Sequence, residues 1–399
     1  MKPGPGLRWV VAGQFAGALA DNALLLIAVE TLAEQHAAAW TVPALRIAFY
    51  LAFVLLSAHA AAIADAWPKK RVIAAVNTLK VAGCGLLLAG CSPLLAYALV
   101  GIGAAVHAPA RYGILSELSR PGELVAANAW LEGSTVLAML LGTLWGSAML
   151  RGLGVLPWLS GTTASQGTVT LAAAFLVAAL CALPVQGRGS SNPGALRRPA
   201  LLRAFLRSLA ALWTDPAART SLRVTCTFWA VAAILQFVVL RWSVERLGMA
   251  LADAGLLQAA VASGMIAGAA AAGRWVREEQ AMAVLPVGGA LGVALVLMPF
   301  LDTLPSTAVL LFATGLLSGL LVVPLNAVLQ RRGQALMDPG QAIGAQNASE
   351  NFASLVGLAI YGAAVQLEAG LQATVVVLGA LTAVAMLAAT VERRRLRSA

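Results

Sequence analysis

Apolar residues dominate this chain in long runs, and short polar breaks separate one run from the next. Each run has about the 20 residues that an α-helix needs to cross the hydrocarbon core of a bilayer. The runs lack the strict alternation of apolar and polar positions that marks a membrane β-barrel. They therefore predict twelve membrane-spanning helices, at 9–32, 42–64, 71–90, 93–110, 123–149, 167–187, 220–243, 250–273, 281–301, 304–329, 341–364 and 370–391.

The composition agrees with an all-α polytopic membrane protein. Of the 399 residues, 60% are hydrophobic and only 11% are charged, whereas soluble domains carry about 25% charged residues. The three histidines and four cysteines lack the spacing of metal ligands, and no nucleotide-binding or nucleophile motif occurs. We therefore expect no metal, no cofactor and no enzymatic activity.

The net charge of +10 comes from basic residues that lie mainly between the apolar runs. Such a charge favours nucleic-acid binding in a soluble protein, but in a membrane protein it reports topology. Most of the 27 Lys and Arg residues fall at the two chain ends and in the loops on their side of the membrane. Because basic loops stay inside, we predict cytoplasmic termini and no nucleic-acid partner.

The longest polar connection, 188–219, divides the chain into two six-span halves, 1–187 and 220–399. It begins rich in Gly, Ser, Asn and Pro, which is typical of a flexible linker. Leucines and interleaved arginines then recur at helical spacing. This pattern predicts an amphipathic helix that lies on the anionic cytoplasmic leaflet.

The two halves resemble each other weakly in their fifth and eleventh spans. When AANAWLEGSTVLAMLLG is aligned with GAQNASENFASLVGLAI, Glu132 falls on Glu350 and Asn128 falls on Gln346. Parallel repeats of six spans place a substrate site between the halves, near the midplane of the membrane. The alignment favours such an arrangement here.

A carboxylate in the first span is the most unusual polar residue of the chain. Asp21 lies inside GALADNALLLIAVETL, beside Asn22 and on the same helix face as Gln14. A charge at the centre of a span costs about 2.5–3.5 kcal/mol on insertion scales, so it marks a functional candidate. Asp21 is expected to bind a cation, to pair with a buried base, or to contact substrate. Lys80 is a possible partner, the alternative being that its side chain extends to the cytoplasmic interface.

Further polar residues lie inside the fifth, seventh and eleventh spans, where substrate binding or coupling competes with structural roles. Glu132 and Glu350 can instead cap helices or pair with loop arginines, and Arg241 can lie at the outer interface. Glu132 shares a face with Asn128 and Thr135. The candidates of these spans are Glu132, Gln236, Arg241, Gln346, Asn347, Glu350 and Asn351.

The loop ADAWPKKR partly matches the signature Gly-x-x-x-Asp-(Arg/Lys)-x-Gly-(Arg/Lys)-(Arg/Lys), through Asp65, Lys69 and Lys70. It departs from that signature at Ala61, Ala66 and Pro68. The chain thus resembles the major facilitator superfamily, which implies the major facilitator fold. The resemblance also implies a conformational lock formed by Asp65, Lys69, Lys70 and Arg71. In that lock Asp65 pairs with bases or with the N-terminus of span eleven, the alternative being a solvated loop acid.

Five stretches resemble the bacterial lysophospholipid transporters more closely: QFAGALADNALL, APARYGILSEL, ANAWLEGSTVLAMLLG, VVPLNAVLQRRG and NASEN. The resemblance implies import of lysophosphatidylethanolamine and lysophosphatidylglycerol from the outer to the inner leaflet of the bacterial inner membrane. It also implies that an acyltransferase/acyl-carrier-protein synthetase at the inner face re-acylates them. That enzyme is fused to the transporter in some relatives. Here we expect a separate polypeptide, and a monomeric transporter.

The same resemblance assigns residues to substrate handling. Asp21 and Asn22 match the family's first-span Asp-Asn, and Arg111 matches the basic residue before Tyr-Gly-Ile-Leu. The other matching positions are Glu132, Gln346, Asn347, Glu350 and Asn351. The seventh span departs, because the family often has Arg-Phe where this chain has Gln236-Phe237. Either Arg241 takes over phosphate binding, or the headgroup is handled differently.

Two other functions fit the residues. A major facilitator exporter of amphiphilic drugs or of a small metabolite would use Asp21 as a proton site, and its activity would collapse with the proton gradient. A membrane partner without transport activity, such as a scaffold for an acyltransferase, would co-purify with that enzyme but show no flux in purified vesicles.

Overall fold

The computed structural model describes residues 4–37, 41–120, 122–153, 161–197, 201–249 and 255–398, and the regular structure in these ranges is helical. The α-helices are α1 (Pro5–Glu34), α2 (Thr41–Leu55), α3 (Ser57–Ala66), α4 (Lys69–Leu88), α5 (Pro93–Leu118), α6 (Leu124–Leu150), α7 (Thr163–Cys181), α8 (Leu201–Thr214), α9 (Pro216–Glu245), α10 (Gly255–Trp275), α11 (Leu285–Leu297), α12 (Leu304–Leu336), α13 (Pro339–Gln366) and α14 (Leu371–Ser398). Short 3₁₀ turns occur at Ala195–Arg197 and on both sides of α11.

The number of spans is consistent with the twelve that the sequence predicts. Eleven helical segments of the described chain are long and apolar enough to cross a membrane. The remaining span, predicted at 42–64, is broken: α2 and α3 meet at Leu56 with a bend of 60°. Counting this pair as one span gives twelve.

Several predicted boundaries differ from the structure, those of the fourth and sixth spans among them, and the start of the eighth span lies outside the described residues. The fourth span was expected to end near Pro109, but α5 continues through this proline to Leu118. Neighbouring helices in a membrane bundle can satisfy the backbone group that a proline leaves free. The sixth span, predicted at 167–187, is the earlier helix Thr163–Cys181. The predicted start of the eighth span at 250 falls among residues that the structure does not describe, and α10 is described from Gly255.

Each half has its own apolar cores and is held together by helices that approach closely. In the C-terminal half, α10 packs on α12 through Gly264, Gly268, Gly315 and Gly319. A Cβ atom built on Gly268 would lie 2.1 Å from the carbonyl oxygen of Leu316. Only glycine permits this contact, as expected for small residues spaced by four in membrane helices.

The two halves meet at one end of the bundle, which we call the linker end because the connection between the halves lies there. At this end α3 packs on α13, and α6 packs on α10 and α12. A Cβ on Gly344 would lie 2.7 Å from the Cβ of Ala61, and one on Gly340 would lie 2.6 Å from the Ala61 carbonyl oxygen. This tight contact closes the linker end.

The predicted amphipathic helix is present as α8. Phe205 and Leu212 are buried against α3, α9, α12 and α13. Part of the apolar side of α8 is therefore covered by protein. Leu202 and Leu206 remain exposed on its outer side.

Candidate functional site

Asp21 is joined to Lys80 inside the N-terminal half. The Lys80 ammonium lies 2.7 Å from Oδ2 and 2.9 Å from Oδ1 of Asp21, so it donates to both carboxylate oxygens. The Lys80 side chain is only 3% exposed and its Nζ lies 5.3 Å from the centre of the Phe175 ring, whereas the Asp21 side chain is 20% exposed. Of the alternatives left open for these residues, the buried pair is the one observed.

The polar residues around this pair connect α1 to its neighbours. The Gln14 amide donates to the Thr135 hydroxyl of α6 at 3.0 Å. Asn22 instead donates to the Ala18 carbonyl one turn earlier in its own helix, at 2.8 Å. Asn77, one turn before Lys80, has a buried Oδ1 atom with no hydrogen-bond partner within the described chain. Together with the Asp21–Lys80 pair they form a polar layer across the helix bundle of the N-terminal half.

Glu132 on α6 and Glu350 on α13 are both buried. The Tyr112 hydroxyl donates a short hydrogen bond to Glu132. Gln346 donates to Glu350 at 2.9 Å and to Asn326 at 2.9 Å. Neither carboxylate pairs with a loop arginine among the described residues, which removes that structural alternative.

Asn347 and Asn351, beside Glu350, are less enclosed by protein than Glu350 itself. Asn347 and Asn351 are partly exposed, and Asn351 donates to the Asn347 carbonyl at 2.8 Å. The Asn347 side-chain nitrogen is buried without a partner within the described chain. An unpaired amide donor in a membrane bundle is available to a ligand acceptor.

Asn128 and Gln330 form a reciprocal amide pair between the halves. Gln330 donates to Asn128 at 2.8 Å, and Asn128 donates back at 3.0 Å. Both side chains are at least 98% buried. Because Asn128 belongs to α6 and Gln330 to α12, the pair can persist only while the two halves remain together.

Arg111 lines a narrow cavity of the N-terminal half, together with Gln14, Lys70 and the buried His107. Its guanidinium lies 4.4 Å from the centre of the Tyr112 ring, and its Nε atom is buried without a partner within the described chain. The cavity therefore offers cationic donors next to the polar layer of Asp21.

Arg241 and Gln236 do not share a position on α9. Five residues of helix turn a side chain by about 140°, so Arg241 faces a different direction. It pairs with Glu245 at 2.8 Å near the end of α9 that lies away from the linker end. Gln236 is exposed, and its backbone carbonyl accepts a hydrogen bond from the Gln258 side chain at 2.8 Å. The Arg241 guanidinium is thus already engaged by a carboxylate of its own helix.

Asp65 contacts the N-terminus of the eleventh span, which is one of the two arrangements that the resemblance implies. Its fully buried carboxylate accepts from the backbone N–H of Gly340 at 2.7 Å and from that of Gln341 at 3.0 Å. Amides in the first turn of a helix lack partners within the helix and favour a negative charge. Asp65 therefore connects α3 to α13 at the linker end.

The basic residues of the same loop behave differently from one another. Lys69 is buried, pairs with Glu117 at 2.6 Å and donates to the Ser191 hydroxyl at 2.8 Å. Lys70 lines the cavity of Arg111, and Arg71 is exposed. Of the three basic residues, Lys69 connects α4 to α5 and to the start of the linker.

The sequence matches the family model of the Major Facilitator Superfamily over residues 10–336. It is 36% identical over 362 residues to the lysophospholipid transporter LplT of Yersinia pestis (strain Pestoides F), an alignment that covers 90% of this chain and 87% of the relative. The same values hold for LplT of Yersinia pseudotuberculosis serotype O:3 (strain YPIII). This chain belongs to the lysophospholipid transporter family of the major facilitator superfamily.

Solved structures confirm the fold of this transporter. The major facilitator superfamily transporter FucP, in its outward conformation, aligns with a TM-score of 0.73 at 12% identity, over 97% of this chain and 98% of its own. The human organic anion transporter MFSD10 aligns with a TM-score of 0.70 at 17% identity, over 97% and 100% of the two chains. The major facilitator fold that the sequence predicts is therefore confirmed.

Several residues of the transporter's polar network were not identified from the sequence. Tyr112 and Gln330 lie in stretches that carry the family resemblance, APARYGILSEL and VVPLNAVLQRRG, but neither is charged, so neither was distinguished from packing residues. Glu117 and Asn192 lie in loops or at helix ends, where polar residues are ordinary. The clue that could have found Tyr112 is its place next to Arg111.

Proposed function

We propose that this transporter moves lysophosphatidylethanolamine and lysophosphatidylglycerol from the outer to the inner leaflet of the bacterial inner membrane by alternating access, with both termini in the cytoplasm. The observation that carries the proposal is the Asp21–Lys80 pair. It holds a carboxylate and an ammonium together inside a membrane bundle whose relatives are named lysophospholipid transporters.

A pair of opposite charges suits the headgroups of these lipids. In lysophosphatidylethanolamine the ammonium is attracted to Asp21 and the phosphate to Lys80, so one zwitterion replaces another. The glycerol headgroup has no ammonium, and its hydroxyls donate to Asp21 while the phosphate still reaches Lys80. The partial exposure of Asp21 gives a ligand access to the pair. Asn347, with its unpaired amide, supplies a further donor from the other half.

The closed linker end supports alternating access. The contact of Asp65 with the start of α13 and the Asn128–Gln330 pair hold the halves together there. The polar layer is therefore shut off from the side on which the linker lies. Release to that side requires these contacts to break. The product then reaches the inner leaflet, where a separate acyltransferase/acyl-carrier-protein synthetase re-acylates it, and the transporter works as a monomer.

The test is transfer of labelled lysophosphatidylethanolamine between leaflets in proteoliposomes that contain the purified full chain. The parent is compared with Asp21→Asn, with Lys80→Gln, and with the control Thr78→Val, an exposed residue of the same helix as Lys80. Loss of one hydrogen bond between charged groups corresponds to about a tenfold to hundredfold effect. We expect both charge variants to lose transfer by at least about tenfold and Thr78→Val to keep it.

Failure of the folded parent to transfer the lipid, with or without ion gradients, would contradict the proposal. Export of amphiphilic drugs or of a small metabolite would then take its place, and dependence on a proton gradient would support it. Transfer that survives in Asp21→Asn would leave lysophospholipid transport standing but remove Asp21 from it.

A further inference from the structure

The first part of the connection between the halves is held in place by contacts, although its composition is typical of a flexible linker. Residues 188–197 run along the linker end and are held there by specific contacts. The backbone N–H of Arg188 donates to Glu117 at 3.0 Å, and the Ser191 hydroxyl accepts from the buried Lys69 at 2.8 Å. Ala195 is buried against Ala62 and Ala66 of α3. This part of the linker is therefore fixed to the N-terminal half.

Asn192 is the residue of this segment that reaches both halves. Its backbone N–H donates to the carbonyl oxygen of Asp65 at 2.9 Å, in the N-terminal half. Its side-chain nitrogen donates to Oδ2 of Asp338 at 2.9 Å, directly before α13 in the C-terminal half. Asp65 itself holds the first amides of α13. Asn192 thus braces the same junction that Asp65 forms.

We infer that Asn192 is a positioning residue of the transport cycle, and that the linker acts through it as a latch on the closed linker end. Since residues 188–197 are anchored to the N-terminal half at Glu117, Lys69 and α3, this segment moves with that half. Opening then breaks the contact from Asn192 to Asp338 and keeps the others. The inference rests on the alternating access of the proposed function, but not on the identity of the substrate.

The Asn192 side chain also affects the electrostatics of the junction. Asp65 and Asp338 are carboxylates that repel each other across the junction. The Asn192 amide donates a hydrogen bond to Asp338. This bond reduces the free-energy cost of holding the two carboxylates together, because a hydrogen bond to a charged acceptor offsets part of the repulsion. Without this donor the closed junction loses one of the contacts that offset the repulsion.

The experiment measures hydrogen–deuterium exchange at the Gly340 and Gln341 amides of the full chain in nanodiscs, because these amides donate to Asp65 only while the junction is closed. Asn192→Asp places a third carboxylate at the junction. We expect it to speed exchange at both amides about tenfold, the factor that one hydrogen bond to a charged group represents. Asn192→Asp combined with Asp338→Asn restores a donor and an acceptor in reversed order, and exchange returns to the parent value.

The matched control is Ser190→Ala, two residues away in the same segment, whose side chain makes no hydrogen bond within the described chain. It should exchange like the parent. Thermal unfolding and exchange in the middle of α12 verify that every variant is folded. Unchanged exchange in folded Asn192→Asp, or no restoration in the double variant, would overturn the latch. Because no lipid substrate is needed, a failure of lysophospholipid transfer does not affect this result.

Discussion

At the scale of single residues, the free-energy cost of removing one member of a buried ion pair depends on how exposed the remaining charge is. Lys80 is almost completely enclosed, whereas Asp21 keeps a fifth of its side chain exposed. An enclosed charge without its partner is strongly unfavourable, and a charge in contact with water is not. The pair is therefore asymmetric. The burial of the Lys80 charge depends on Asp21 more than the burial of the Asp21 charge depends on Lys80.

This asymmetry predicts how the pair contributes to stability. Asp21→Asn leaves the ammonium of Lys80 uncompensated and should lower the free energy of unfolding by about 3 kcal/mol, the lower end for broken buried pairs. Lys80→Gln should cost less, because the remaining carboxylate is partly exposed. The double variant should recover most of the stability but none of the lipid transfer. Thermal unfolding in detergent measures this, and a double variant as unstable as Asp21→Asn would contradict it.

At the scale of elements, glycines set how closely helices pack. Gly264 and Gly268 of α10 face Gly315 and Gly319 of α12, so each helix backbone lies against the other. Dispersion contacts supply most of the helix association in lipid, where there is no hydrophobic force between apolar surfaces. Distance between the backbones is therefore the main determinant of stability at this contact.

Gly268→Ala tests that role. Its new methyl group would meet the Leu316 carbonyl, so the helices must separate, and overpacking of this kind costs about 1–3 kcal/mol. Gly362→Ala in α13 is the matched control, since a Cβ at that helical glycine meets nothing within 4 Å. We expect a lower unfolding temperature for Gly268→Ala only. Equal unfolding temperatures in the two variants would show that this contact can relax.

The hydrophobic pattern of the sequence defines some elements of this fold but not others. Hydrophobic length was sufficient for the spans, because crossing a bilayer imposes a length on every helix. It failed at Pro109, where a proline ends helices in water but α5 continues to Leu118. Amphipathicity predicted the helix α8, but it could not show that α13 covers part of its apolar face. Asp21 and Glu350 could be selected from sequence since charge is rare in spans, but neutral Tyr112 and Gln330 could not.

At the scale of the whole molecule, the halves are held together at the linker end by polar contacts that are individually weak. The amide pair of Asn128 and Gln330 lies between α6 and α12, and the carboxylate of Asp65 lies at the start of α13. A neutral hydrogen bond contributes about 0.5–1.5 kcal/mol. Contacts of this strength can keep one end closed and still be exchanged during a transport cycle.

Removing one amide should therefore open the molecule without unfolding it. Asn128→Ala leaves the Gln330 amide unpaired in the closed state only, and this costs about 1–3 kcal/mol. Cys226 is a natural reporter, because it is buried at the linker end near Ala61 and Ala345, one from each half. We expect its alkylation by a maleimide to become at least about fivefold faster in Asn128→Ala.

Two references separate opening from unfolding in this measurement. Cys84 is fully buried inside the N-terminal half, so its alkylation should stay slow unless that half unfolds. Ser134→Ala, on the same helix as Asn128, removes a hydroxyl whose hydrogen bond within the described chain goes to the Leu131 carbonyl of its own helix. This variant should leave Cys226 protected. Faster labelling of both cysteines would indicate unfolding. Slow labelling of Cys226 in Asn128→Ala would show that Asp65 and the linker keep this end closed without the amide pair.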